Sequence, residues 1–120
     1  MSNLTQKVIL INAKDRTITE HQIAARGDKH MADMYRLLGC DLFTVGSHLD
    51  GANDLFVDDE GLYVQDQSYF QFNGARGLVQ LAGNGLVIGY DANTGDSVAT
   101  TLTVEQVAVR VQWLNLVKID

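Results

Sequence analysis

The stretch LAGNGLVIGYDANTG, residues 81–95, decides what kind of fold this chain can have. Four glycines and two asparagines in fifteen residues either cradle a phosphate or punctuate strands. Gly83, Gly85 and Gly89 are spaced G-x-G-x-x-x-G, one residue off the dinucleotide fingerprint. They lead into the strand-like LVIGYD, and no G-K-S/T follows. Phosphate cradles rely on backbone amides aligned at a helix N-terminus, and no helix start stands here. The stretch therefore reads as a turn and a strand, with Ala92 to Gly95 separating it from a further run, SVATTL.

Working outward, KVILINA (residues 7–13) holds the β-branched run VILI, apolar on both faces, and predicts a central strand covered on both sides. The polar turn KDR and a half-exposed run, Thr17 to Ile23, complete a hairpin. In ARGDKHMADMYRLLGC, Asp28 is a candidate N-cap. Met31, Met34, Tyr35 and Leu38 recur at helical spacing, and Gly39 is the stop, so a helix is predicted over about residues 29–38. Leu42 to Val45 and Leu55 to Asp58 read as strands. The DDEG of residues 58–61 predicts a tight antiparallel hairpin in which Leu55, Val57, Leu62 and Val64 share a face. YFQF (69–72) reads as another strand. TVEQVAVRVQWLNLV predicts a long C-terminal helix capped by Thr103 and Gln106, with Val104, Val107, Ala108, Val111 and Leu114 on one face.

The composition bounds the rest. A chain of 120 residues with 46% apolar and 20% charged residues is an ordinary globular length and mix, and without an internal repeat or linker it predicts a single domain over residues 1–120. Proline is absent, so glycine, asparagine and aspartate must set the turns. The net charge is −6 and no three basic residues adjoin, which argues against nucleic-acid binding, where several cations must displace counterions. Cys40 is the only cysteine, so no internal disulfide forms. No signal-peptide run or membrane-length apolar window appears, and the expectation is a cytoplasmic protein without membrane contact.

Candidate chemistry is sparse. His21, His30 and His48 are too far apart for local metal motifs, the acids of DGANDLFVDDEG miss the calcium-loop spacing, and no serine sits in G-x-S-x-G. No catalytic residue, metal or cofactor is expected. The segment QDQSYFQFNGARG is the one candidate binding patch: Tyr69 offers a ring, Asn73 donors and acceptors, and Arg76 a bidentate clamp for an anion. The last helix offers a candidate interface through Val109, Trp113 and Leu116, flanked by Val117 and Ile119.

These features, taken in order, resemble a family. KVILINA, a helix ending LLGCD before LFTV, the acidic DLFVDDEGLY, Asn73-Gly74-Ala75, and the late strand GNGLVIG (83–89) resemble a family of short domains of unknown function found mostly in phages, plasmids and their bacterial hosts, over residues 7 to about 115. Where members commonly carry a proline-containing L-P-x-N segment, this chain reads FQFNGA. The resemblance implies a mobile-element context and a small, non-enzymatic accessory role.

The expected fold is α+β, a mainly antiparallel sheet of five to seven strands with two helices, the C-terminal helix packed on the sheet. The leading functional expectation is a non-catalytic binding protein that engages a host protein, as a homodimer through the C-terminal helix. The alternatives are capture of a small nucleotide-like ligand by Tyr69, Asn73 and Arg76, or an enzyme of unknown reaction.

Overall fold

The computed structural model describes residues 4–49 and 51–114. Strand β1 (Thr5–Asn12) carries Val8, Ile9, Leu10 and Ile11, all buried. Successive side chains on a strand point to opposite faces, so an unbroken apolar run must be covered twice. At its end the Asn12 side chain accepts a bond from the Asp15 backbone at 3.0 Å, and Arg16 takes a left-handed φ of 56°. That turn feeds β2 (Thr17–Ala24), which pairs with the whole of β1 from Thr5↔Ala24 to Asn12↔Thr17.

Helix α1 (Gly27–Leu38) ends as the sequence predicts, at Gly39 with φ 68° and its N–H bonded to the Tyr35 carbonyl at 2.8 Å. Its start differs: Arg26 is the N-cap, without a side-chain bond, and Asp28 stands in the first turn, where a carboxylate favours the positive end of the helix dipole. Met34, Leu37 and Leu38 are buried, whereas Met31 is exposed. A charge also enters the buried face. The Asp33 carboxylate accepts the Ala24 N–H at 2.9 Å, Lys29 Nζ at 3.3 Å and Arg36 Nη2 at 3.3 Å, tying the helix to the end of β2.

That backbone bond, helped by Lys29 and Arg36 against the opposing effect of burial, holds the Asp33 carboxyl below its ordinary 3.8. A carboxyl depressed in the folded state stabilises fully above the unfolded value, and the contribution is lost as pH falls through the folded one. Asp33→Asn is thus expected to cost about 1.5–3 kcal/mol at neutral pH, the range for hydrogen bonds to charged groups. Thermal melts of the two proteins should converge as the pH drops below 3.8; a gap that persisted unchanged at acid pH would contradict the assignment.

Strands β3 (Phe43–Leu49) and β4 (Asn53–Asp58) pair antiparallel with a bulge between Val45 and Ser47. The predicted hairpin at residues 58–61 does not form. Gly61–Tyr63 is a 3-10 turn instead, and Leu62, Tyr63 and Val64 are exposed. The reason lies in the sheet: β4 already has β3 on one side and β7 (Asn84–Tyr90) on the other, so the 62–65 segment finds no open edge. The DDEG carboxylates serve the turn itself, Asp58 accepting the Glu60 N–H at 2.9 Å.

The chain continues through β5 (Tyr69–Gly74) and β6 (Gly77–Ala82), and between β6 and β7 only Gly83 intervenes. This answers the question the glycine-rich stretch raised. Strand β6 belongs to one sheet and β7 to another, and Gly83, with φ 78°, makes the corner in a conformation that side-chain-bearing residues resist. The turn and strand reading of residues 81–95 therefore stands. Gly85 serves close approach: a Cβ there would lie 2.8 Å from Leu55 Cδ1 and 3.0 Å from Phe70 Cζ.

After the short β8 (Ser97–Val98), α2 (Val104–Ala108) has the expected capping box, Gln106 N–H to Thr103 Oγ1 at 3.1 Å and Thr103 N–H to Gln106 Oε1 at 2.9 Å. The helix is far shorter than its apolar spacing predicts. Val111–Leu114 forms β9, paired with β5 from Phe72↔Val111 to Tyr69↔Leu114. VRVQWL satisfies a period of two as well as one of 3.6, and the open edge of β5 supplies ladder bonds that decide between them. The remainder of the predicted helix lies outside the described residues.

Among the described residues the larger sheet has six strands, ordered β2-β1-β7-β4-β3 with β8 beside β7; the smaller is β6-β5-β9. The architecture is α+β, with α1 on one face of the large sheet and the small sheet on the other. Val8, Leu10, Ile23, Leu86 and Ile88 meet the helix. Ile9, Ile11, Leu55, Val57 and Val87 meet Phe70, Phe72 and Leu81, with Val107 seating α2 on the same core. Asn53, fully buried, accepts from the Thr100 hydroxyl at 2.7 Å and donates to Thr101 Oγ1 at 3.2 Å, anchoring the segment that crosses to α2.

Candidate functional site

Alternation along β5 separates the residues of the predicted binding patch. Phe70 and Phe72 point into the core between the sheets and are fully buried, so Tyr69, Gln71 and Asn73 occupy the outer face. Tyr69 is half-buried and Asn73 exposed. The Asn73 backbone is engaged with Arg110, its N–H to the Arg110 carbonyl at 2.9 Å and its carbonyl to Arg110 Nη1 at 2.8 Å.

Arg76 lies elsewhere, in the two-residue turn between β5 and β6. It is exposed, and among the described residues it has no ion-pair or hydrogen-bond partner. The hairpin tip docks on β3 through the Ala75 N–H, bonded to the His48 carbonyl at 2.8 Å. Gly74 permits that approach: a Cβ would overlap Ser47 Oγ and stand 2.8 Å from the His48 carbonyl oxygen.

The docking leaves a cleft of about 190 Å³, walled by Gly46, Ser47 and His48 on one side and by Arg76, Gly77, Leu78 and Val79 on the other. Among the described residues strand β3 ends the large sheet and β6 the small one, so both walls are sheet edges, and on β3 the His48 carbonyl is already taken by the Ala75 N–H. The cleft takes in Arg76 but has neither Tyr69 nor Asn73 on its walls. Ser47, His48 and Leu78, which is 67% exposed, complete it and were not readable in advance. Two edges that are distant in sequence meet here, and no local signal brings them together.

His48 Nδ1 sits 2.7 Å from Asp54 Oδ1, its cross-strand neighbour. Ser47 is opposite Leu55, in the core between the sheets, while His48 is opposite Asp54 on the other face. The strand thus points the hydroxyl and the imidazole apart, and the three do not form a nucleophile relay. His21 meets the Thr19 hydroxyl at 2.8 Å and His30 the Ala24 carbonyl at 2.8 Å. Among the described residues no group of three or more His, Cys, Asp or Glu could hold a metal ion. Burial, with Asp58 and Asp41 nearby, pushes the Cys40 thiol up from its ordinary value, which disfavours the thiolate.

A second hollow of about 250 Å³, larger and more enclosed than the first, is lined by Asp54, Phe56, Ile88, Tyr90, Gly95 and Ser97 among others. Of the predicted interface, Val109 is 84% exposed at the junction of α2 and β9. Trp113 is half-buried, paired with Phe70 and packed on the core. Leu116, with Val117 and Ile119, lies outside the described residues. No described helix is long and apolar enough to cross a membrane.

Fold and cleft together define an α+β protein in which two sheet edges and an arginine with no partner among the described residues line a small groove. Residues 6–115 match DUF3846, a domain of unknown function, and the chain belongs to that family. No curated protein and no solved structure matches it.

Proposed function

We propose that this chain is a non-catalytic binding protein that engages another protein, with the cleft between β3 and β6 as its site and Arg76 as the electrostatic anchor. The observation that carries this reading is an exposed arginine with no partner among the described residues, set on a groove walled by the edge strands of two sheets, of which β3 is engaged by the Ala75 N–H only at His48 among the described residues. Open edges suit an extended segment adding its backbone to one of them, and a guanidinium suits a carboxylate on that segment. The net charge of −6 disfavours a polyanion in the same place. The resemblance to domains carried by phages and plasmids supports a protein of the bacterial host as the partner.

The nucleotide-like alternative has less behind it. The cleft of about 190 Å³ falls short of the roughly 300–1,000 Å³ usual for small-molecule sites. A homodimer is the second reading, favoured by Val109, 84% exposed beside the edge strand β9. Val109→Ser would then lower the mass in solution from dimer to monomer.

The partner reading is tested by affinity capture from bacterial lysate with the wild-type chain and Arg76→Ala side by side. A protein retained by the first and lost from the second, at an unchanged melting temperature, is the expected result, because a solvated arginine contributes little to folding. Equal retention by both would move binding away from the cleft.

A further inference from the structure

On a different part of the surface, we infer that the turn at residues 58–66 is a docking knuckle for a segment of a partner protein that combines basic and apolar side chains. Leu62, Tyr63 and Val64 are consecutive and 74%, 85% and 48% exposed, and Leu42, whose carbonyl accepts the Asp59 N–H at 3.0 Å where the turn begins, is 53% exposed. Exposed apolar residues scattered singly need no explanation, but three in succession on one turn, with a fourth on the strand entry bonded to that turn's start, mark a contact surface.

The turn is held in place from below. The Tyr63 N–H bonds the Glu60 carbonyl at 3.0 Å, Asp58 ties the Glu60 N–H, and the Gln67 side chain donates to the Gly61 carbonyl at 2.7 Å. Gly61 itself is buried against Ala82, where a Cβ would stand 3.1 Å from the Ala82 carbonyl oxygen. Tyr63 is therefore presented from a fixed backbone, which lowers the ordering cost of binding, and tyrosine is among the side chains that most often anchor interfaces.

Charge selects the occupant. Residues 37–75 contain seven carboxylates and no lysine or arginine. Asp41, Asp58, Asp59, Glu60 and Asp66 surround the apolar turn, and all but the half-buried Asp58 are exposed. A second copy docking through the same surface would set these acids against their own kind, since a two-fold contact is self-complementary. An anionic membrane surface would be repelled for the same reason. A segment carrying lysine or arginine around apolar anchors meets both features at once.

The test is a titration of the isotope-labelled full chain with an amphipathic lysine–leucine peptide of about 15 residues, followed by backbone amide shifts. Saturable shifts confined to Leu42 and residues 58–66 are expected, with roughly tenfold weaker binding for Tyr63→Ser and for Val64→Ser at unchanged melting temperature. Arg76→Ala should bind this peptide like wild type, which separates the knuckle from the cleft. The inference is overturned by absent or scattered shifts, by equal binding of the same peptide with its lysines acetylated, or by unchanged affinity in both serine variants. Dimerisation through the turn, or adsorption to anionic vesicles that Tyr63→Ser abolishes, would overturn it equally.

Discussion

Phe70→Ala is expected to remove about 3–5 kcal/mol of stability, the range for deleting a buried aromatic ring. Phe70 is fully buried at the centre of the small sheet, paired with Leu81 on β6 and Trp113 on β9, and its ring reaches the large sheet at Gly85. Truncation empties a volume that neither sheet can close, because each is held in register by its own ladder. Against a total of roughly 5–15 kcal/mol for a natural protein, such a loss leaves little margin. Urea unfolding should show a lower midpoint with an unchanged slope. A loss below about 1 kcal/mol would mean that the small sheet does not pack as described.

Gly85→Val tests the same contact from the other side. The position has no room, with Leu55 Cδ1 and Phe70 Cζ within 2.8 and 3.0 Å of a Cβ, so valine is expected to cost about 3 kcal/mol by overpacking. Overpacking and cavity should offset each other. The double variant Phe70→Ala with Gly85→Val is expected to be more stable than the sum of the two losses implies, since residues in contact are coupled. Strict additivity in that cycle would show that Gly85 and Phe70 do not face each other across the two sheets.

How far the fold was legible follows from which signals were local. VILI named its own strand because burial on both faces leaves no polar position, and Gly39 named the end of α1 because the left-handed residue is part of the helix stop. Thr103 and Gln106 marked a helix start for the same reason, being a contact between near neighbours. The end of that helix was not local: whether VQWL coils or extends depends on β5, about 40 residues earlier, offering an edge. The hairpin expected at residues 58–61 failed likewise, because β7 had already filled the side of β4 that it needed. The candidate site divided along the same line. Arg76 could be singled out from its own segment, while Ser47 and His48, which face it across the cleft, could not.

The claim that a partner sits in this cleft is tested most directly by placing a photo-crosslinking residue at Leu78, whose exposed side chain stands on the β6 wall beside Arg76. Illuminated in bacterial lysate, the chain should join to one protein through a segment that includes an acidic residue, and Arg76→Ala in the same background should abolish the crosslink. A crosslink to that protein that survives Arg76→Ala undiminished would contradict the account.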